Sequence, residues 1–222
     1  MDKHNRLDHS LYCIITEKYC NGRTSVETAK ELIKAGVKII QYREKDKSNK
    51  EKYEDCLKIR ELTRNAAVSF IVNDDVDMAV AVKADGVHVG QKDMPVAMVR
   101  ELCGNNMIIG LSTHSPEQAL EAVKRGVDYI GVGPIFPTKT KENVCGAVGL
   151  EYLDFVAQNI HIPFVAIGGI KCRNIKDVIR RGAQCIAPVT EIISAPDIVN
   201  RVFEIRKIIK VHLNEGKRKW NA

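Results

Sequence analysis

Short apolar runs recur along this chain, and each is followed by a longer stretch in which apolar positions return every three or four residues. The strand-like runs fall at 11–15, 37–43, 69–72, 86–89, 107–111, 129–132, 164–167 and 185–189. Several are apolar on both faces, as parallel strands covered by helices must be. Helix signals lie between them. Thr24 and Ser25 are placed to cap a helix over 26–35, which Gly36 ends. Ser115-Pro116-Glu117 opens another that runs to Arg125, with Gly126 past its end, and Gly182 closes a third over 174–181. The phrases K-A-G-V-K-I-I (34–40), K-R-G-V-D-Y-I (124–130) and R-R-G-A-Q-C-I (180–186) repeat one plan: basic helix end, Gly, apolar strand.

Eight such β-then-α units in roughly 210 residues fit either a closed ring or an open doubly wound sheet, and their number at this length favours the ring. The expected fold is α/β, a single (β/α)8 TIM barrel over about residues 11–209 in one domain of 222, with a basic tail at 214–222. No G-x-G-x-x-G follows a strand, which argues against a dinucleotide fold.

In such a barrel the active site is built at the C-terminal ends of the strands, and the polar clusters fall there. Gln41, Arg43 and Lys45 share one face of a strand end, because strand side chains alternate. An amide, a guanidinium and an ammonium converging in this way suit phosphate oxygens. The third strand ends in Asn73-Asp74-Asp75, and the fourth runs into Gly90-Gln91-Lys92-Asp93. Neighbouring strands lie about 4.8 Å apart, so Asp74 and Asp93 can share one hard cation such as Mg²⁺. The alternative is that Asp75 and Asp93 cap helices.

Strand five ends in Ser112-Thr113-His114, where a hydroxyl can bind an oxyanion; His114 reads as a loop residue and His88 as a packed or supporting one. The loop 133–141 carries Thr138, Lys139, Thr140 and Lys141 between Gly133, Pro134 and Pro137, a pattern suited to covering a substrate. Gly168-Gly169 allows backbone N–H groups close to a phosphate, and the Thr190 hydroxyl after strand eight can join them. Two anion sites therefore share one rim, one suited to a diphosphate with a metal and one to a monophosphate. No Ser/His/Asp or Cys/His nucleophile set is visible.

Composition narrows the setting. The seven cysteines form no C-x-x-C pair, which points to free thiols in a reducing cytosol and to oxygen ligands for any metal. No apolar run approaches the ~18 residues of a membrane span, and residues 1–10 hold no apolar segment of a secretory leader. The net charge of +6 includes Lys217-Arg218-Lys219, expected to be a frayed solvated tail. No stripe of Lys and Arg interleaved with aromatics suggests nucleic acid. The expected partners are small molecules, and a homo-oligomer is compatible with the sequence.

With these motifs in place the chain resembles the thiamine-phosphate synthases over about residues 11–209. The carriers are Q-Y-R-E-K (41–45), N-D-D (73–75), A-D-G-V-H-V-G-Q-K-D (84–93), G-L-S-T-H (110–114), D-Y-I-G-V-G-P-I-F-P-T-K-T-K (128–141) and A-I-G-G-I (166–170). The resemblance implies a (β/α)8 enzyme that joins a hydroxymethylpyrimidine diphosphate to a thiazole phosphate with Mg²⁺, releasing pyrophosphate. It implies the pyrimidine diphosphate on Gln41, Tyr42, Arg43, Glu44, Lys45, Asn73, Ser112 and Lys141, with Arg43, Lys45, Ser112 and Lys141 catalytic. It implies Mg²⁺ on Asp74 and Asp93, and the thiazole phosphate on Thr138, Lys139, Thr140, Gly169, Val189 and Thr190. The family's last motif usually reads Val-Ser-Ala; here Val189-Thr190-Glu191 keeps the hydroxyl and adds a charge. A thiazole tautomerase on the same scaffold and a catalytically silent phosphate binder are the competing readings.

Overall fold

A computed structural model describes residues 11–138, 140 and 146–220, of which 214–220 are described by their backbone alone. Residues 1–10, read above as free of a secretory leader, lie outside the described residues.

Eight parallel strands follow one another in space as they do in sequence: β1 (Cys13–Ile15), β2 (Ile39–Tyr42), β3 (Ser69–Asn73), β4 (Gly86–Val89), β5 (Ile108–Thr113), β6 (Tyr129–Val132), β7 (Phe164–Ile167) and β8 (Cys185–Ala187). Leu11 bridges Ile186 in parallel, and the Tyr12 N–H donates to the Ile186 carbonyl at 2.9 Å. The last strand thus returns to the first. This is the barrel expected from the unit count, and the open sheet is not formed.

Side-chain alternation divides the strands between two cores. One phase, including Ile15, Ile40, Phe70, Val87, Ile109 and Ile130, packs outward against the helices. The other, Tyr12, Ile14, Ile39, Ile71, Ile108, Tyr129, Val165 and Cys185, fills the lumen. Burying each large aliphatic side chain contributes about 1.5–3 kcal/mol, so both phases are needed for closure.

The helices are α1 (Ser25–Lys34), α2 (Asn49–Asn65), α3 (Val76–Ala81), α4 (Val96–Cys103), α5 (Pro116–Lys124), α6 (Gly149–Asn159), α7 (Ile175–Arg180), α8 (Val189–Ile193) and α9 (Ile198–Trp220). Thr24 closes a capping box on α1: its hydroxyl accepts from the Glu27 N–H, and the Glu27 carboxylate accepts from the Thr24 N–H. Ser48 and Glu51 do the same on α2, and the Ser115 hydroxyl caps α5 ahead of Pro116. Such caps are worth about 1 kcal/mol each.

Two expectations are corrected. The eighth strand stops at Ala187, and Val189-Thr190-Glu191 begin α8 instead of ending a strand. Pro188 has no N–H for the ladder and stands at the helix N-cap. The basic tail continues α9, whose backbone is helical through Gly216 to Trp220. Buried Val202, Ile205 and Ile209 anchor the preceding turns, and one internal Gly subtracts only about 1 kcal/mol.

Candidate active site at the mouth of the barrel

The C-terminal ends of the strands surround a cavity of about 80 Å³ lined by Tyr12, Ile14, Gln41, Arg43, Asn73, His88, Ser112, Tyr129, Gly131, Val165 and Ile167. A larger groove of about 400 Å³ lies on the outer face of α2 beside Leu57, Arg60 and Arg64. It is open surface away from the strand ends, and the chemistry belongs to the mouth.

Alternation decides which of the residues after β2 reach the cavity. Gln41 and Arg43 face inward and line it. Tyr42 and Glu44 point the other way, into the helix layer. The Tyr42 hydroxyl donates to Asp55 Oδ2 at 3.1 Å. The buried Glu44 carboxylate accepts from the Glu17 N–H and from the Ser25 hydroxyl. Burial pushes the Glu44 carboxyl above its usual range, against the pull of the Glu17 N–H and Lys47. The side chains of Tyr42 and Glu44 therefore support the strand end from behind and do not line the cavity.

The Asn73-Asp74-Asp75 turn is held by the Asp74 N–H, which donates to the His88 carbonyl at 2.8 Å. Asp74 has φ +61°, a left-handed conformation that Asp tolerates better than most residues. Its carboxylate lies 2.5 Å from Lys45 Nζ. Asp75 pairs with Lys52 at 2.9 Å, and Asp93 accepts from the Gly90 N–H at 2.7 Å. Asp75 stands at the N-cap of α3 without a side-chain hydrogen bond to the helix, and Asp93 lies two residues ahead of Pro95, the N-cap of α4.

The donor set suits a hard divalent cation. Two carboxylates stand at the ends of adjacent strands, and one already faces an ammonium. Among the described residues no group of three or more His, Cys, Asp or Glu gathers round one point. Asp74 and Asp93 would thus supply two oxygen ligands and leave the rest to water and substrate, the pattern usual for Mg²⁺.

Across the mouth, the Thr138 hydroxyl donates to Thr140 Oγ1 at 3.1 Å. Gly169 has φ +62°, and a Cβ there would stand 2.7 Å from the Pro137 carbonyl oxygen. The loops after β6 and β7 therefore abut, with the Phe136 N–H donating to the Gly168 carbonyl at 3.0 Å. Thr190 Oγ1 accepts from Lys171 Nζ at 2.8 Å. Glu191 lies 3.4 Å from Lys171 and 3.3 Å from Arg201. Burial tends to raise its carboxyl, yet the Cys172 hydrogen bond and Lys171 outweigh that and hold it below the usual range. The extra charge noted in the sequence is thus paired with two cations. Lys139 and Lys141 lie outside the described residues.

Sequence reading missed three groups here. Lys171 follows the paired glycines after Ile170, and its position was the available signal. Tyr12 and Tyr129 occupy the lumen phase of their strands, which the alternation marked. The third is the Glu17, Lys47 and Asp55 cluster, in which Lys47 Nζ bridges Glu17 Oε2 at 2.6 Å and Asp55 Oδ2 at 2.7 Å. Its partners come from three separate elements, and nothing local announces it. For His88 the supporting role was expected, and only its partners, Tyr129 and Ser112, were not.

The described cysteines are all free, as expected, and burial pushes the Cys13 and Cys56 thiols up to about 12. They are poor nucleophiles. His114 Nδ1 contacts the Gly133 carbonyl, a structural role. The mouth holds cations, hydroxyls and carboxylates; in its Ser–His contact, Ser112 Oγ to His88 Nε2 at 2.9 Å, the Tyr129 hydroxyl stands at Nδ1, where a triad would place a carboxylate.

Fold and site together define a (β/α)8 enzyme whose barrel mouth gathers the Gln41, Arg43, Asn73 and Ser112 side chains. The family model described as thiamine monophosphate synthase matches residues 11–192. The thiamine-phosphate synthase of Pelotomaculum thermopropionicum is 61% identical over 203 residues, covering 91% of this chain and 93% of that protein. That of Lawsonia intracellularis is 55% identical over 91% of this chain and 94% of its own length. The thiamine phosphate pyrophosphorylase structure from Pyrococcus furiosus superposes with a TM-score of 0.84 at 39% identity, over 94% of this chain and 99% of that one. The chain belongs to the thiamine monophosphate synthase family, and it is a transferase.

Proposed function

We propose that this enzyme joins 4-amino-2-methyl-5-(diphosphooxymethyl)pyrimidine to thiazole phosphate, giving thiamine phosphate and pyrophosphate. The observation that carries the reading is the convergence of Gln41, Arg43, Asn73 and Ser112 on one cavity, with Lys45 and Asp74 in contact beside it. Arg43 and Lys45 supply charge for a diphosphate. The second phosphate falls to Thr138, Thr140, Gly169, Val189 and Thr190; the resemblance assigns Lys139 to the same phosphate and Lys141 to the diphosphate, and both lie outside the described residues.

The chemistry asks for charge stabilisation and little proton transfer. The carbon–oxygen bond breaks with its electron pair going to the departing diphosphate, and the thiazole nitrogen lone pair forms the new carbon–nitrogen bond. Arg43, Lys45 and the Ser112 hydroxyl meet the negative charge as it grows, as preorganised donors do. A mouth whose Ser112–His88 contact is backed at Nδ1 by the Tyr129 hydroxyl, where a triad would place a carboxylate, suits this dissociative course. Asp74 and Asp93 would hold Mg²⁺, which would supply neutralisation of diphosphate charge. The loop bearing Thr138 excludes water that would otherwise capture the pyrimidine cation.

No helix among the described residues is long and apolar enough to cross a membrane. The free thiols support a cytoplasmic setting.

The test is substrate omission. Purified protein should yield thiamine phosphate and pyrophosphate in equal amounts only when both substrates are present. Conversion of the thiazole phosphate alone would mark an isomerase instead, and binding without any conversion would mark a silent phosphate binder.

A further inference from the structure

Five side chains form one hydrogen-bonded line across the lumen beneath the mouth. Gln41 Nε2 donates to Tyr12 Oη at 2.9 Å. The hydroxyls of Tyr12 and Tyr129 are 2.7 Å apart. Tyr129 Oη lies 2.9 Å from His88 Nδ1, and His88 Nε2 lies 2.9 Å from Ser112 Oγ. The participants come from β2, the residue before β1, β6, β4 and β5, so the line ties opposite sides of the barrel together. It depends on Gly110, where a Cβ would stand 2.2 Å from Tyr129 Cζ and 2.5 Å from His88 Nδ1.

Proton counting gives the line a direction. An amide nitrogen only donates, and a phenol has one proton. With Gln41 donating to Tyr12, the Tyr12 proton goes to Tyr129, and the Tyr129 proton goes to His88 Nδ1. A neutral imidazole that accepts at Nδ1 carries its proton on Nε2, and that proton goes to Ser112 Oγ. The proton of Ser112 is then directed away from His88, toward the cavity that Ser112 lines. The opposite direction would make Tyr12 accept twice and leave its own O–H without an acceptor in a fully buried lumen, which folded proteins avoid.

We propose that Tyr12, Tyr129 and His88 are positioning residues that set the polarity of Ser112. They hold His88 as the Nε2–H tautomer and so present the Ser112 hydroxyl as a donor to a diphosphate oxygen. The tautomer follows from the Gln41 amide orientation together with the hydrogen bonds; the diphosphate as recipient rests on the proposed function.

Two measurements test this, neither of which needs turnover. Long-range ¹H–¹⁵N spectra of the full-length wild-type protein report the tautomer, with the His88 signals assigned by their loss in His88→Gln. The Nε2–H pattern is expected; the Nδ1–H pattern or a doubly protonated ring overturns the proposal. The second measurement is affinity for inorganic pyrophosphate with Mg²⁺, by calorimetry, in Tyr129→Phe, Ser112→Ala and the double variant. Each single change should weaken binding about tenfold, the effect of one net hydrogen bond. The double variant should bind no more weakly than Ser112→Ala alone. Additive losses would show that Tyr129 acts apart from Ser112 and would overturn the relay. The wild-type spectrum decides the tautomer even where Tyr129→Phe fails to fold. Failure of the proposed reaction would show separately, as missing product in the two-substrate assay with a normal His88 spectrum.

Discussion

Lys45 Nζ lies 2.5 Å from Asp74 Oδ2, which brings the cation at the end of β2 into contact with the carboxylate that follows β3. The Lys45 side chain is 47% exposed, and an ion pair that open to water adds at most ~1 kcal/mol to stability. The pair is therefore better explained by function than by folding. Asp74→Ala should lower kcat by about a hundredfold or more, on the scale of losing one preorganised charge-stabilising contact. Its melting temperature should stay within ~4 °C of wild type. A purified variant with unchanged turnover would remove Asp74 from the site. Arg43→Lys should also slow the reaction, because a point charge cannot fork onto two oxygens.

Lys171 belongs to the other end of the mouth. Its ammonium meets Thr190 Oγ1 at 2.8 Å and Glu191 at 3.4 Å. Lys171→Met should raise KM for the thiazole phosphate about tenfold, the loss of one charge-assisted contact, while KM for the pyrimidine diphosphate and kcat change little. Steady-state kinetics with each substrate varied in turn checks this. Equal effects on both KM values would place Lys171 outside the monophosphate site.

The Glu17, Lys47 and Asp55 cluster fixes the chain behind the Gln41 to Lys45 segment. Burial tends to raise the Glu17 carboxyl, but Lys47 and the Ser25 N–H outweigh it, so its folded value lies below the ordinary 4.5. A carboxyl lowered on folding stabilises above its unfolded value and loses that contribution as pH falls through the folded one. Lys47→Met should therefore melt lower than wild type at pH 7, and the gap should narrow below about pH 4.5. Circular dichroism melts at pH 7 and pH 3 give the comparison; a gap of constant size would show that the loss is packing and not charge.

Gly110 makes room for the lumen line. Gly110→Ala should destabilise the fold by about 1–3 kcal/mol through overpacking and weaken pyrophosphate binding at the same time. Urea unfolding together with calorimetry checks both. Wild-type values in each would mean that the Tyr129 and His88 rings can shift without consequence.

Much of the fold was legible in the sequence because each unit announces itself locally. Thr24 and Ser25 open a helix, Gly36 closes it, and an apolar run follows. The eighth strand end was misjudged where a local signal was underweighted: Pro188 stops the ladder and turns Val189-Thr190-Glu191 into a helix. The site was legible where alternation could be applied, as for Gln41 and Arg43. The same rule, carried one residue further, sends Tyr42 and Glu44 to the helix layer. The remaining features required three dimensions. Lys47 meets Glu17 across 30 positions of chain, Tyr12 meets Tyr129 across 117, and Arg201 reaches Glu191 from a different helix.

The most direct measurement is the two-substrate assay with and without the metal. Purified protein is mixed with the pyrimidine diphosphate and the thiazole phosphate, in Mg²⁺ or in EDTA, and thiamine phosphate is followed as fluorescent thiochrome. Product in Mg²⁺ and none in EDTA is the predicted result. Equal product in both would contradict the role of Asp74 and Asp93, and no product in either would contradict the proposed reaction.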